Sequence, residues 1–177
     1  MLQGIHHAAY RCHDALATAS FYKQALDMDL LLAISEDHVP STKAPDPYMH
    51  IFLDAGRGNV LAFFEIPNSP PMGRDANTPA WVQHIAFQVA DLDTLQAAKQ
   101  RLEALGLDVV GPTNHTIFRS IYFHDPNGHR IELAANTVKP GDLERLAEVA
   151  PAMMEEWGRT RRTVKHAAWL HQEEFAG

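Results

Sequence analysis

An eight-residue block occurs twice in this chain, and that repetition limits the fold more than any other feature. His7-Ala8-Ala9-Tyr10-Arg11-Cys12-His13-Asp14 returns as His84-Ile85-Ala86-Phe87-Gln88-Val89-Ala90-Asp91. Both read histidine, apolar, alanine, aromatic, polar, apolar, any residue, aspartate, at an offset of 84 − 7 = 77. A second match sets Ile51-Phe52-Leu53 on Ile121-Tyr122-Phe123 and Gly58 on Gly128. It continues with Val60-Leu61-Ala62-Phe63 on Arg130-Ile131-Glu132-Leu133, at an offset of 121 − 51 = 70. The seven-residue difference falls in a longer, Pro-containing connection of the first half, His38 to Pro47. A chain of 177 residues duplicated in this way reads as two copies of one small module.

Each copy reads as a strand, a helix and three strands. The eight-residue blocks alternate between two kinds of side chain, the period of a strand with two different faces. Asp14 and Asp91 follow those strands and are placed to cap helices over about 15–25 and 92–104. Leu95, Ala98, Leu102 and Leu105 give the second helix an apolar stripe, and Gly106 suits a left-handed exit. Asp125-Pro126-Asn127-Gly128 is a turn between strands. The expected class is therefore α+β: two βαβββ modules, 1–66 and 81–137, forming a curved mixed-sheet cavity. Pro67, Pro70, Pro71 and Pro79 mark 67–80 as the linker. A helical extension, 138–177, follows; in it Leu143, Leu146, Val149, Met153 and Trp157 have helical spacing, and Pro151 is expected to separate or kink two segments. Trp169 and Leu170 are candidate anchors for this tail, which would pack on the sheet or a second subunit, or cover the site as a lid.

On the first strand His7, Ala9 and Arg11 share one face; on its repeat His84, Ala86 and Gln88 do. The opposite faces are more apolar and suit packing under a helix. Glu132 lies between Ile131 and Leu133, pointing away from both, an expensive place for a carboxylate unless it is paired or binds a metal. Its repeat equivalent is Ala62. Two imidazoles and one carboxylate, His7, His84 and Glu132, thus form a candidate facial triad with open coordination positions. Taken singly, each histidine reads as a structural residue. His6 is expected to be structural; His13, His38 and His171 are expected to be exposed; and Glu65 is expected to turn to the other face.

Composition excludes several classes of partner. A net charge of −7 argues against a phosphate backbone, and the basic run Arg159, Arg161, Arg162 and Lys165 sits beside Glu155 and Glu156 as a solvated face. Cys12 is the only cysteine, so no intrachain disulfide is possible and a reducing, cytoplasmic compartment is expected. The start shows no signal-peptide pattern, and no apolar run approaches the ~20 residues that span a bilayer. A small-molecule substrate and a homodimer are the expected partners.

These motifs, the segment from His7 to Tyr22, His84 to Asp91 and Tyr122 to Glu132, resemble the vicinal oxygen chelate superfamily over roughly residues 1–137. That group includes glyoxalase I, extradiol ring-cleavage dioxygenases, methylmalonyl-CoA epimerase and fosfomycin- and bleomycin-resistance proteins. The resemblance implies a divalent metal on His7, His84 and Glu132: Fe2+ for a dioxygenase, with Mn2+, Ni2+ or Zn2+ for relatives that use a Lewis acid. It implies an extradiol-type dioxygenase acting on a small catecholic substrate, because glyoxalase I supplies a fourth ligand where this chain has Ala62. Tyr122 matches a tyrosine beside the dioxygenase substrate, though it reads equally as a core aromatic; His115 is either a partner of that substrate site or a loop histidine. One departure is Asn59, where dioxygenases carry an acid or base histidine, with His50 as a possible substitute. A glyoxalase-type lyase or isomerase, with Glu65 as base or ligand, is the first alternative. A non-catalytic binder with Phe52, Phe63 and Tyr122 lining its cleft is the second.

Overall fold

The computed structural model describes residues 2–171. In the first module β1 (Ala8–Cys12) leads into α1 (Ala15–Leu26), then β2 (Leu30–Glu36), β3 (Tyr48–Asp54) and β4 (Val60–Glu65). The second repeats this as β5 (Ile85–Val89), α2 (Leu92–Ala104), β6 (Val110–Asn114), β7 (Phe118–His124) and β8 (Arg130–Asn136). Each module makes one four-stranded sheet, in the orders β1-β4-β3-β2 and β5-β8-β7-β6. The first and last strands of each module run parallel, and the other pairings are antiparallel.

Local chemistry starts both helices in the same way. The Asp14 carboxylate accepts from Ala17 N–H at 2.7 Å and the Asp91 carboxylate from Thr94 N–H at 2.8 Å, each satisfying a donor with no helical partner. Glu65 turns away from the inner face, and its Oε2 accepts from Ala15 N–H at 2.7 Å. Gly106, at φ 81°, closes α2, where Leu107 N–H returns to Leu102 O.

Register gives the repeat its physical meaning. Ala9, Ala62 and Phe52 lie in one cross-strand row of the first sheet; Ala86, Glu132 and Tyr122 occupy the same row of the second. The opposite faces form the core. Cys12, Ile51, Leu53, Leu61 and Phe63 are buried with Tyr22 and Ala25 of α1, and Ile121, Phe123, Ile131 and Leu133 with Leu95 and Leu102 of α2. Each large side chain in this single cluster contributes about 1.5–3 kcal/mol by leaving water. Phe63 belongs to this core rather than to a cleft: it shares its face with Leu61, and Phe64 takes the inner face.

The turn before β8 fastens the modules together. The Tyr22 hydroxyl donates to Asp125 Oδ2 at 3.1 Å, and Asn127 Nδ2 donates to Thr18 Oγ1 at 3.1 Å. His13 N–H donates to Asn127 Oδ1 at 2.8 Å, and His129 Nε2 donates to the Arg11 carbonyl at 2.7 Å. The end of β1 therefore sits beside the start of β8.

The tail forms α3 (Asp142–Thr160) and a short 3-10 helix (Ala168–His171). Pro151 does not divide α3, because the flanking Glu, Leu, Ala, Met and Arg are strong helix formers that tolerate one missing backbone donor. None of its residues is buried. The Arg145 guanidinium lies 3.9 Å from the Trp169 ring centre, which ties the 3-10 helix back to α3. Among the described residues no helix is long and apolar enough to cross a membrane.

Candidate metal centre

His84 stands just before β5, and Glu132 is central in β8, opposite Ala86 and Tyr122. His84 Nε2 lies 2.9 Å from Glu132 Oε2. His84 Nδ1 lies 3.0 Å from the Val82 carbonyl, which can only accept, so Nδ1 carries the proton and Nε2 is the nitrogen turned to the site. Glu132 is 3% exposed, the buried carboxylate that its apolar neighbours foretold.

The other carboxylate oxygen is held by hydroxyls. Ser120 Oγ and Tyr122 Oη both donate to Glu132 Oε1, the latter at 3.0 Å. Tyr122 has one proton to give, so the 2.8 Å contact between its oxygen and His115 Nε2 is an imidazole N–H donating to the phenol. A directed chain thus runs from His115, which is exposed, through Tyr122 to Glu132. Burial and then the Glu132 carboxylate raise the Tyr122 phenol above its ordinary range, keeping it a donor. The Arg130 guanidinium stacks 4.1 Å from the Tyr122 ring centre.

His7 lies elsewhere on the chain's surface. Its ring packs against Phe52, at 5.5 Å between centres, and His50, at 6.1 Å, both on the inner face of the first sheet. His7 Nδ1 contacts His6 Nδ1 at 2.7 Å, which leaves Nε2 open. His50 is 8% exposed, stacks on Phe64 at 3.5 Å, and has a buried Nε2 without a hydrogen-bond partner. Desolvation, then the nearby His7, pushes its imidazole below the ordinary value. The sequence repeat singled out His7, but not this aromatic wall around it.

Topology separates His7 from the other two ligand candidates. The start of β8, with His84 next to it, abuts Arg11 at the end of β1; His7 is four residues back, roughly 13 Å at the rise of a strand. Among the described residues no group of three His, Cys, Asp or Glu side chains converges within the chain. The structure therefore brings together His84, Glu132, Tyr122 and His115, and sets His7 with His50 in a separate cluster. Both clusters have nitrogen or oxygen donors suited to a divalent ion, with orienting partners behind them.

Residues 4–133 match the family described as the Glyoxalase/Bleomycin resistance protein/Dioxygenase superfamily. The chain belongs to this superfamily. Its relatives include a putative ring-cleaving dioxygenase MhqA of Bacillus subtilis (strain 168), 28% identical over 139 residues that are 76% of this chain and 41% of that protein. The chain thus spans about two-fifths of that relative's length. A metallothiol transferase FosB of Shouchella clausii is 31% identical over 63% of this chain and 83% of its own. Among solved structures, a fosfomycin resistance protein FosX from Listeria monocytogenes, complexed with Mn(II) and 1S,2S-dihydroxypropylphosphonic acid, superimposes with a TM-score of 0.56 at 23% identity. The superposition covers 77% of this chain and 95% of that one. A superfamily domain from Frankia sp. EAN1pec gives 0.61 at 18% identity over 77% and 99%. At these identities the superpositions establish the fold.

Proposed function

We propose that this chain is a metal-dependent enzyme of the extradiol ring-cleavage type, acting on a small catecholic substrate as a homodimer. In this reading His84 and Glu132 of one copy and His7 of a second copy hold one divalent ion, Fe2+ by preference. The observation that carries it is the pairing of a half-site, His84 with Glu132, that has three orienting groups already in place, with a separate His7 whose Nε2 is open. Two-fold pairing of copies gives each half-site its complement twice over.

Bound iron would supply a common anchor for the two vicinal hydroxyl oxygens and for O2. The protein's part is positioning and proton handling. Ala62 replaces the repeat equivalent of Glu132, so the first sheet provides no second carboxylate and leaves coordination positions open. Phe52 and Phe64 form an aromatic wall against which a ring can stack. Tyr122 sets its hydroxyl beside the oxygens, and His115, with Nε2 on that hydroxyl, exchanges protons with solvent. The overall reaction breaks the ring carbon–carbon bond next to a hydroxylated carbon and places both atoms of O2 in the product.

The test is turnover of a panel of catechols, with and without oxygen, by protein loaded with Fe(II) or Mn(II). Ring cleavage should require O2 and Fe(II) and stop on chelation. The FosB match favours a second reading, Lewis-acid addition or isomerisation, which would proceed without oxygen on Mn(II).

A further inference from the structure

Ser120 is fully buried on β7, two residues from Tyr122 and on the same face, diagonal to Glu132 across the β7–β8 pair. Its hydroxyl is spent on Glu132 Oε1. A carboxylate oxygen offers about two lone-pair directions. Ser120 and Tyr122 together fill those of Oε1, while Oε2 faces His84 Nε2. We propose that Ser120 is a positioning residue: with Tyr122 it occupies Oε1, so that Glu132 ligates the metal through Oε2 alone. The assignment rests on the metal reading above.

The consequence is the number of open positions. A carboxylate that binds through one oxygen leaves, with the two imidazoles, half an octahedron free. That is enough for both oxygens of a vicinal diol and one further ligand. A chelating carboxylate would remove one of these positions. The Ser120 hydroxyl therefore sets how many exogenous atoms reach the ion, without touching the ion or the substrate itself. Tyr122 alone leaves one lone pair of Oε1 unoccupied, so the two hydroxyls are not redundant.

The experiment is Mn(II) binding to the full-length wild type, Ser120→Ala, Ser120→Thr and Tyr122→Phe. It is followed by calorimetry and by the infrared separation of the carboxylate stretching bands, with the metal-free melting temperature as a folding check. Wild type should bind with the wide band separation of a one-oxygen carboxylate. Ser120→Ala should narrow that separation and weaken binding by roughly tenfold, the ordinary effect of losing a group that orients a metal ligand. Tyr122→Phe should move both readouts the same way, and Ser120→Thr, which keeps the hydroxyl, should restore both. A Ser120→Ala protein that binds Mn(II) with wild-type affinity and unchanged bands overturns the assignment while leaving the metal reading intact. A folded wild type that takes up no Mn(II) overturns both.

Discussion

His84 Nε2 and Glu132 Oε2 face each other at 2.9 Å, while the same histidine gives its Nδ1 proton to the Val82 carbonyl. These two atoms can ligate a metal only without a proton between them, so metal and proton compete for the pair. Calorimetric titration of Mn(II) in buffers of different ionisation enthalpy should therefore show proton release on binding. Heats independent of buffer would contradict this.

His115 acts on the proton, not on the grip of the site. His115→Ala leaves the Tyr122 donor to Glu132 in place, so Mn(II) affinity should stay within about threefold of wild type, while kcat should fall by roughly a hundredfold. Steady-state kinetics beside a metal titration checks the split. Equal losses in affinity and kcat would make His115 a structural residue.

His50 should make the metal-free protein sensitive to acid. Its folded-state value lies below the ordinary imidazole value because burial and His7 disfavour the cation. The unfolded chain then binds more protons than the folded one below about pH 6.5. The stabilisation is complete above the unfolded value and is lost as pH falls through it toward the folded one. Melting temperatures measured from pH 7.5 to 5 should drop, and His50→Phe should flatten the part of that drop due to this ring. His124, lowered by desolvation first and then by Arg74 and Arg130, accounts for a further part in both proteins.

The lock between modules is set by Asp125, which is 5% exposed and accepts from Tyr22, from Asn127 N–H and from His129 N–H. Tyr22→Phe keeps the packing and removes one donor to a buried carboxylate, a loss of about 1–3 kcal/mol. Urea unfolding should report it as a lower midpoint with an unchanged slope.

Much of this was legible in the residues. The eight-residue repeat located both β–α units. Asp14 and Asp91 do cap the helices, and the pairing of Ala62 with Phe52 and of Glu132 with Tyr122 reproduces the second offset in real register. The repeat also marked Glu132, since a carboxylate between Ile131 and Leu133 has few reasons to be buried. Three things were not legible. Sequence periodicity gives the face of a strand but not the placement of one module against the other, so it could not show that His7 and His84, each at the start of its own strand, stand apart within one chain. It set Phe63 in the cleft where the register puts Phe64, because a one-residue slip inverts the face that a strand residue takes. It also missed Ser120, because nothing about a serine in a strand reports a diagonal partner.

The central claim is that the metal site is shared between copies. It is tested most directly by mixing His7→Ala protein with Glu132→Ala protein, each unable to hold the ion alone, after unfolding and refolding together. A shared site leaves one intact triad in every mixed dimer, so the mixture should recover about a quarter of wild-type metal-binding capacity and turnover. If the mixture stays as inert as either variant alone, the triad does not form between copies, and the account of this site is wrong.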